Sequence, residues 1–354
     1  MKKALDYISI VLFFSLVIVF AAYTFVISDS TFEVTSEGLS RSLEKYIEKN
    51  FPLAENWRSM YCTLITGAGQ NRIGDVYVSE KGMIELLSSI DEEKTEKNIE
   101  EFNLLCEEHP KVNSYALIVP TASGIYSAEL PVVITTVDQQ KLIDDIYYKL
   151  DNSIQTLDAF NPLFAARDDY VYFRTDNSWT EYGAYTVYNR VIRKMGFAPI
   201  RLSAYDMEYA DRDYLGDLYY KTYYTGTNPD FINIFRNKNG SFVTGFSAWS
   251  GDKETSSASI YSTTALNSSS KLDIFLGGNS FEKYHITTSN TQAPRLLIIK
   301  GDYANMMVPF LTPHYSEITM IDPDKLGDKR IEDVVDINSY DQMLLLYDIK
   351  SFCK

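Results

Sequence analysis

The sequence predicts an α/β protein on an open, largely parallel sheet, preceded by one membrane-anchoring helix. Three observations carry this. Continuous apolar runs at residues 114–120, 295–299 and 343–347 read as strands buried on both faces. The segments between them place apolar residues at helical spacing, as alternating strand and helix units do. Near the N-terminus, Lys2 and Lys3 precede an almost unbroken apolar run over residues 8–27.

That run is about 20 residues, the length that crosses roughly 30 Å of hydrocarbon as a helix. It is longer than the apolar core of a cleaved leader, so residues 1–28 read as an uncleaved signal anchor. Basic residues precede it, and Asp29 and Glu33 follow it. The charge bias leaves the N-terminus in the cytoplasm and everything from about Ser28 outside; a cleaved leader would export the same chain.

Residues 29–110 form a lead-in. Leu39, Leu43, Tyr46 and Ile47 predict a helix over 36–50, stopped by Pro52. Val76, Tyr77 and Val78, between Gly74 and Gly82, predict a hairpin. Ile99, Phe102, Leu105 and Cys106 line one face of a charged surface helix over 91–108.

The main domain, 111–354, starts with the strand at 114–120, then a helix over 139–150 on Leu142, Ile143, Ile146 and Leu150. Leu157 with Phe160, and residues 170–173, supply short strand-like pieces before a helix over 181–195 that Gly196 ends. Residues 204–292 turn rich in Tyr, Ser, Thr, Gly and Asn. With strands expected at 231–235 and 274–276, they predict an inserted β-rich excursion. The α/β pattern then resumes as strand 295–299, helix 304–310, strand 318–321 and strand 343–347.

Composition narrows the function. The 33 Lys and Arg face 48 Asp and Glu, a formal charge of -15. This repels phosphate backbones and argues against nucleic acid as a partner. The 27 Tyr and 19 Phe fit half-buried strand positions, or a surface that stacks on sugar rings. Cys62, Cys106 and Cys353 are odd in number and lack CxxC spacing, so they define no zinc site, and which pair would oxidise outside the cell stays open. The only histidines are His109, His285 and His314, too few and too scattered for a histidine-rich metal centre.

Two strand-to-helix turns could carry chemistry. One is the polar stretch Arg174, Thr175, Asp176, Asn177, Ser178, Trp179, Thr180; the other runs Lys300, Gly301, Asp302, Tyr303, Ala304, Asn305. Sheet edges of this kind are where α/β folds present functional side chains. The plainer reading has Asp176 or Ser178, and the Gly301–Asp302 turn, simply capping the following helices.

Read as Y-x-R-T-D-N-S-W-T-x-x-G-A, residues 172–184 resemble the signature of bacterial DHHW proteins, exported SGNH-hydrolase-like proteins related to O-acetylation factors of alginate and similar exopolysaccharides. The resemblance continues at 119–126, at Leu130 and Pro131, at 276–279, at 303–305, at 308–311 and at 314–318. It runs in order from about Phe51 to the C-terminus.

The resemblance implies a three-layer α/β/α domain with a Ser-His-Asp triad for acetyl transfer. It also implies polysaccharide and a membrane-bound O-acyltransferase as partners, and neither cofactor nor metal. Carried over position by position, the triad aspartate is Asp176. The histidine position holds Ser178 and the serine position Asp302. Asn177 stands for the other signature histidine, and Gly301 precedes Asp302 where the family has Asp. Arg174, Trp179, Asn279, Tyr303 and Asn305 would remain as substrate-binding walls.

An ionised carboxylate is a poor acyl acceptor, and a serine hydroxyl cannot take a proton as imidazole does. Losing nucleophile and base together costs triad enzymes on the order of a million-fold in turnover. The expectation is an inactive homologue that binds glycan or scaffolds an acetylation machine. Two other readings stay open. Asp302 and Asp176, with Asp348 as a further carboxylate, would do altered carboxylate- or metal-based chemistry, or the protein is a purely structural surface component.

Overall fold

The structure, a computed structural model, describes residues 2–27, 32–34, 38–240 and 242–354. It divides into two compact units: the chain up to Asn71 with Lys221–Gly226, and Arg72–Tyr220 with Thr227–Lys354.

In the first unit, helix Lys2–Ala22 continues into a wider π-turn, Tyr23–Ile27, and helices Leu39–Asn50 and Ala54–Gly67 follow. Aromatic contacts tie these pieces together: Phe20 meets Phe51 at 5.3 Å, and Phe25 stacks on Tyr46 at 5.7 Å. Val11, Leu12, Phe13, Ile18 and Val19 are exposed. Among the described residues no helix is long and apolar enough to cross a membrane. The expected anchor boundary at residue 28 and helix start at residue 36 lie outside the described residues.

The second unit opens with a meander, β1 (Arg72–Ile73), β2 (Val76–Ser79) and β3 (Gly82–Glu85). Gly74 and Gly82 take the positive φ its turns require. The remaining strands are β4 (Asn113–Val119), β5 (Gln155–Asp158), β6 (Tyr205–Tyr214), β7 (Asp230–Asn237), β8 (Val243–Ser250), β9 (Lys253–Ser257), β10 (Lys283–Thr288), β11 (Arg295–Lys300), β12 (Glu317–Ile321) and β13 (Gln342–Asp348). The main sheet has the order β5-β4-β13-β11-β12-β10-β8-β9. The five strands from β5 to β12 run parallel, and β10, β8 and β9 add antiparallel pairs.

Side-chain alternation along the parallel strands builds two cores. Tyr115, Leu117 and Val119 face one core with Leu296, Ile298, Leu344 and Leu346; helices Phe160–Ala165, Glu181–Val191 and Ala304–Leu311 cover it. Ala116, Ile118, Leu297, Ile299, Met343 and Leu345 face the other, under helices Glu92–Glu108, Gln139–Lys149 and Ile349–Cys353. The result is three layers, α/β/α. The continuous apolar runs are the sequence trace of strands buried on both faces.

The expected β-rich insertion needs correction. Only β6 and β7 pair as a separate two-stranded sheet, whereas β8, β9 and β10 extend the main one. β10 buries Tyr284, Ile286 and Thr288 on one face, with intermediate residues between them, the alternation of an antiparallel strand solvated on one side. β9 is exposed throughout and charged, a blunt sheet edge.

Residues 274–276 are no strand: a 3-10 turn, Lys271–Ile274, runs into a single bridge between Phe275 and Tyr261. In 170–173, only Tyr172 forms a bridge, to Trp179. Phe160 begins a helix rather than extending a strand. The three cysteines are free and buried.

Candidate functional site

Strand β11 carries apolar residues up to Ile299 and ends on a buried lysine, Lys300. Gly301 lets the chain turn there: a Cβ would stand 2.7 Å from the Tyr347 ring. Asp302 follows, exposed, and helix Ala304–Leu311 begins two residues later.

The second turn, 172–180, is held from several directions. Asp230, fully buried, accepts from Arg174 N at 2.8 Å, Thr175 N at 2.7 Å, Thr175 Oγ1 at 2.5 Å and the Tyr170 hydroxyl. Thr180 caps helix Glu181–Val191, its Oγ1 accepting from Gly183 N at 3.1 Å. Neither Asp176 nor Ser178 serves as that cap.

Asp176 is turned into the protein. One oxygen accepts from Ser178 N at 3.0 Å; the other accepts from the Tyr214 hydroxyl at 2.6 Å and Asp217 N at 3.0 Å. Gly216 presses against it, leaving no room for a Cβ, which would lie 2.4 Å from Oδ2. Burial pushes the carboxyl up and the Tyr214 hydrogen bond pulls it down.

Trp179 and Tyr303 clamp the two turns together. The indole Nε1 donates to Tyr303 O at 3.0 Å, the rings stack at 5.5 Å, and the Tyr303 hydroxyl donates to Asn177 O.

A cleft of about 330 Å³ opens at the carboxyl ends of β4, β11, β12 and β13, with Asn177, Lys300, Asp302, Tyr303, Asp348 and Ser351 among its walls. Ser351 Oγ donates to Asp348 Oδ2 at 2.6 Å and lies 3.4 Å from Asp302 Oδ2. Burial pushes the Asp348 carboxyl up, opposed by the hydrogen bonds from Ser351.

The Lys300 ammonium donates to Asn279 Oδ1 at 2.8 Å and stands 3.9 Å from Asp322 Oδ2. Burial lowers its pKa to about 8, against the pull of Asp322 and Asp302. Lys300 is therefore a built-in cation at the floor of a carboxylate-rich cleft, a role the sequence did not give it beyond opening the second turn. The available signal was a lysine ending an apolar strand, where the pattern demands an inward side chain.

The expected binding residues separate. Tyr303 lines the cleft. Asn279 and Asn305 brace the backbone behind it: Asn279 Nδ2 donates to Asp302 O at 3.3 Å, and Asn305 Nδ2 to Gly278 O at 2.8 Å and Asn279 Oδ1 at 2.9 Å. Trp179 is fully buried. Asp176, Ser178 and Arg174 are not among the cleft walls.

No imidazole reaches the cleft either. His314 bonds the Tyr188 hydroxyl at 2.8 Å, and burial pushes its pKa down to about 4. His285 sits beside Thr319 Oγ1 at 3.0 Å, and His109 beside Asn338 Oδ1 at 3.2 Å.

Removing the buried ammonium should be costly. Lys300→Met leaves Asn279 Oδ1 without its ammonium donor and leaves Asp322 to Lys325 alone, at 2.6 Å, and broken buried pairs cost about 3–5 kcal/mol. Denaturant unfolding at pH 7 is expected to show a loss of that order; unchanged stability would remove Lys300 as the counterion. Because folding lowers its pKa from 10.5 to about 8, the unfolded chain binds the extra proton in that window. Wild-type stability therefore gains from this group as pH rises from 8 towards 10.5.

Together the sheet, the two clamped turns and the cleft define a three-layer α/β protein with its site at the carboxyl ends of the parallel strands. The chain belongs to the DHHW protein family, whose model matches residues 63–321.

It is similar in fold to a crystallised DHHW family protein from Eubacterium siraeum, with a TM-score of 0.67 at 23% identity over 79% of this chain and 91% of that one. It is equally similar to Bacillus cereus PatB1 with a sulfonyl adduct, TM-score 0.67 at 17% identity, over 79% and 96%. The O-acetyltransferase domain of Pseudomonas putida AlgJ aligns at a TM-score of 0.44 and 13% identity, over 78% and 91%. A search of curated proteins returned no match.

Proposed function

We propose that this chain is a membrane-anchored, extracytoplasmic DHHW protein that serves cell-surface polysaccharide O-acetylation as a non-catalytic, glycan-binding or scaffold component. A membrane-bound O-acyltransferase is the partner this reading implies. Family membership supports the O-acetylation setting. The apolar run over 8–27 behind Lys2 and Lys3 supports the anchor and the outward orientation.

One observation carries the non-catalytic part. The nucleophile position holds the exposed carboxylate of Asp302, and no imidazole lines the cleft beside it. Asp176, the triad acid, spends both oxygens on Tyr214 and on backbone donors. Carboxylate- or metal-based chemistry through Asp176 and Asp302 finds less support, since Asp176 faces inward and Lys300 already places a positive charge beside Asp302.

The test is turnover of an acetyl ester by the full chain in detergent, alongside Asp302→Ser, Ser178→His and the double variant. The parent and both single variants are expected to match the protein-free blank. The double variant restores both residue types of the triad, and turnover above the blank there would show that the two clamped turns can bring residues 178 and 302 together. Turnover by the parent that disappears in Asp302→Asn would sink the proposal and make Asp302 a working group.

A further inference from the structure

Helix Ala54–Gly67 carries an apolar stripe on its outside. Trp57, Met60, Tyr61 and Leu64 recur at spacings of three and four, and Leu53 precedes them at the same spacing. A stripe of this kind normally faces a core. Here all five side chains are between 41% and 66% exposed.

The side that meets the rest of the first unit is the other one. Cys62 is buried, its thiol donating to Thr222 O at 3.1 Å, and the Arg58 guanidinium lies 5.8 Å from the Tyr223 ring centroid. Asn56, Ser59 and Thr63 complete a polar back. Leu53 is held at φ 58, a left-handed conformation that leucine disfavours and glycine would take freely. An apolar side chain is thus kept at an exposed turn where the backbone suits a smaller residue.

The stripe is continuous with the apolar run over 8–27. Phe20, inside that run, meets Phe51 at 5.3 Å and Trp57 at 6.3 Å between ring centroids. Along a helix, Phe20 stands roughly 10 Å short of the end of the run. An amphipathic helix lying in a bilayer surface buries its apolar face about 5–10 Å deep, and tryptophan and tyrosine concentrate near that level. With 14 residues this helix is too short to span and long enough to lie flat. Glu55 and Arg58 are its only charges, so apolar burial rather than attraction to anionic headgroups would hold it there.

Resting on the membrane-anchored reading above, we infer that Leu53, Trp57, Met60, Tyr61 and Leu64 dock into the outer leaflet as an interfacial helix beside the anchor. The occupant of the stripe is a phospholipid surface. The first unit is then attached at two places instead of one.

The experiment is tryptophan quenching in the full chain reconstituted into phosphatidylcholine vesicles. Phosphatidylcholine brominated on its acyl chains is the membrane quencher, and acrylamide is the aqueous one. Trp57→Phe isolates the Trp57 signal from those of Trp179 and Trp249 by difference. Trp57 is expected to lose at least half its emission to the brominated lipid and to resist acrylamide, with or without added salt. Met60→Glu/Leu64→Glu should at least halve the lipid quenching with an unchanged melting curve, since both side chains are exposed. Thr63→Glu, exposed on the polar back, should behave as wild type does.

Trp57 open to acrylamide and unquenched by lipid would lie in water, and the inference would fail. Shielding from both quenchers would overturn the lipid assignment in favour of a protein partner or a second copy. Undiminished lipid quenching in the double variant would mean that Phe20 alone holds Trp57, and would overturn the stripe. Failure of the underlying reading shows separately. Wild type stripped from the vesicles by alkaline carbonate has no anchor, whereas a stripe that fails in a chain resisting carbonate fails alone.

Discussion

Glu181→Gln is expected to stabilise the protein by on the order of 3 kcal/mol at pH 8 and to change little at pH 5. Glu181 is 1% exposed, at the first position of the helix that Thr180 caps. Its Oε1 accepts from Asn233 N at 3.1 Å, while its Oε2 and the neighbouring Asn233 Oδ1 are buried acceptors with no donor. Burial pushes the carboxyl up to about 8, and buried Asp230 adds to this against the Asn233 hydrogen bonds. A proton retained on Glu181 supplies the donor that the two orphan acceptors lack.

The direction of the pH effect follows. The folded chain holds this proton up to about pH 8, while the unfolded chain releases it near 4.5. The folded state therefore binds more protons across that window, and Glu181 costs stability as pH rises through it. Glutamine keeps the shape, carries a permanent N–H₂ and does not titrate. Denaturant midpoints of both proteins from pH 5 to 8 check this: the difference should widen with pH. Parallel curves would mean that Glu181 is ionised and compensated throughout.

Trp179→Ala is expected to destabilise by about 3–5 kcal/mol from lost packing, with a further 1–3 for the Tyr303 carbonyl left without its donor. Trp179 is among the largest fully buried side chains, and it clamps the turn at Tyr303 to the 172–180 turn. Trp179→Phe separates the contributions: it keeps a ring against Tyr303 and loses only the Nε1 hydrogen bond and the extra volume. Its loss should be roughly half that of the alanine variant. Equal losses in the two variants would mean that the hydrogen bond, not ring packing, holds the turns together. A loss below about 1 kcal/mol in either would mean the clamp is dispensable.

The two central stretches were legible in the sequence as neighbours of helices and as a family resemblance, but their side-chain directions were not. Asp176 sits at the triad-acid position by its place in the motif, yet Tyr214, Gly216 and Asp217, some forty residues on, turn it inward. Asn279 and Asn305 looked like pocket walls because each ends a motif of the resemblance, at 276–279 and 303–305. They are instead the hydrogen-bonded brace behind Asp302. Lys300 was legible as the first residue of the second turn but not as a buried cation, since spacing along the chain does not show which carboxylates meet it.

What the sequence determined by itself was set by local periodicity. The strands buried on both faces and the amphipathic helices covering them follow from residue types at fixed spacing, while the reading of Asp302 and Ser178 as replaced triad positions is what the family resemblance implies. Only the tertiary structure decided that β8, β9 and β10 extend the main sheet, because strand pairing depends on partners far apart in the chain. It alone also placed Lys300 against Asp322, Asp230 beneath the 172–180 turn, and Arg174 over the Tyr170 ring outside the cleft. Burial and charge are properties of surroundings assembled from distant segments, and spacing along one segment does not record them.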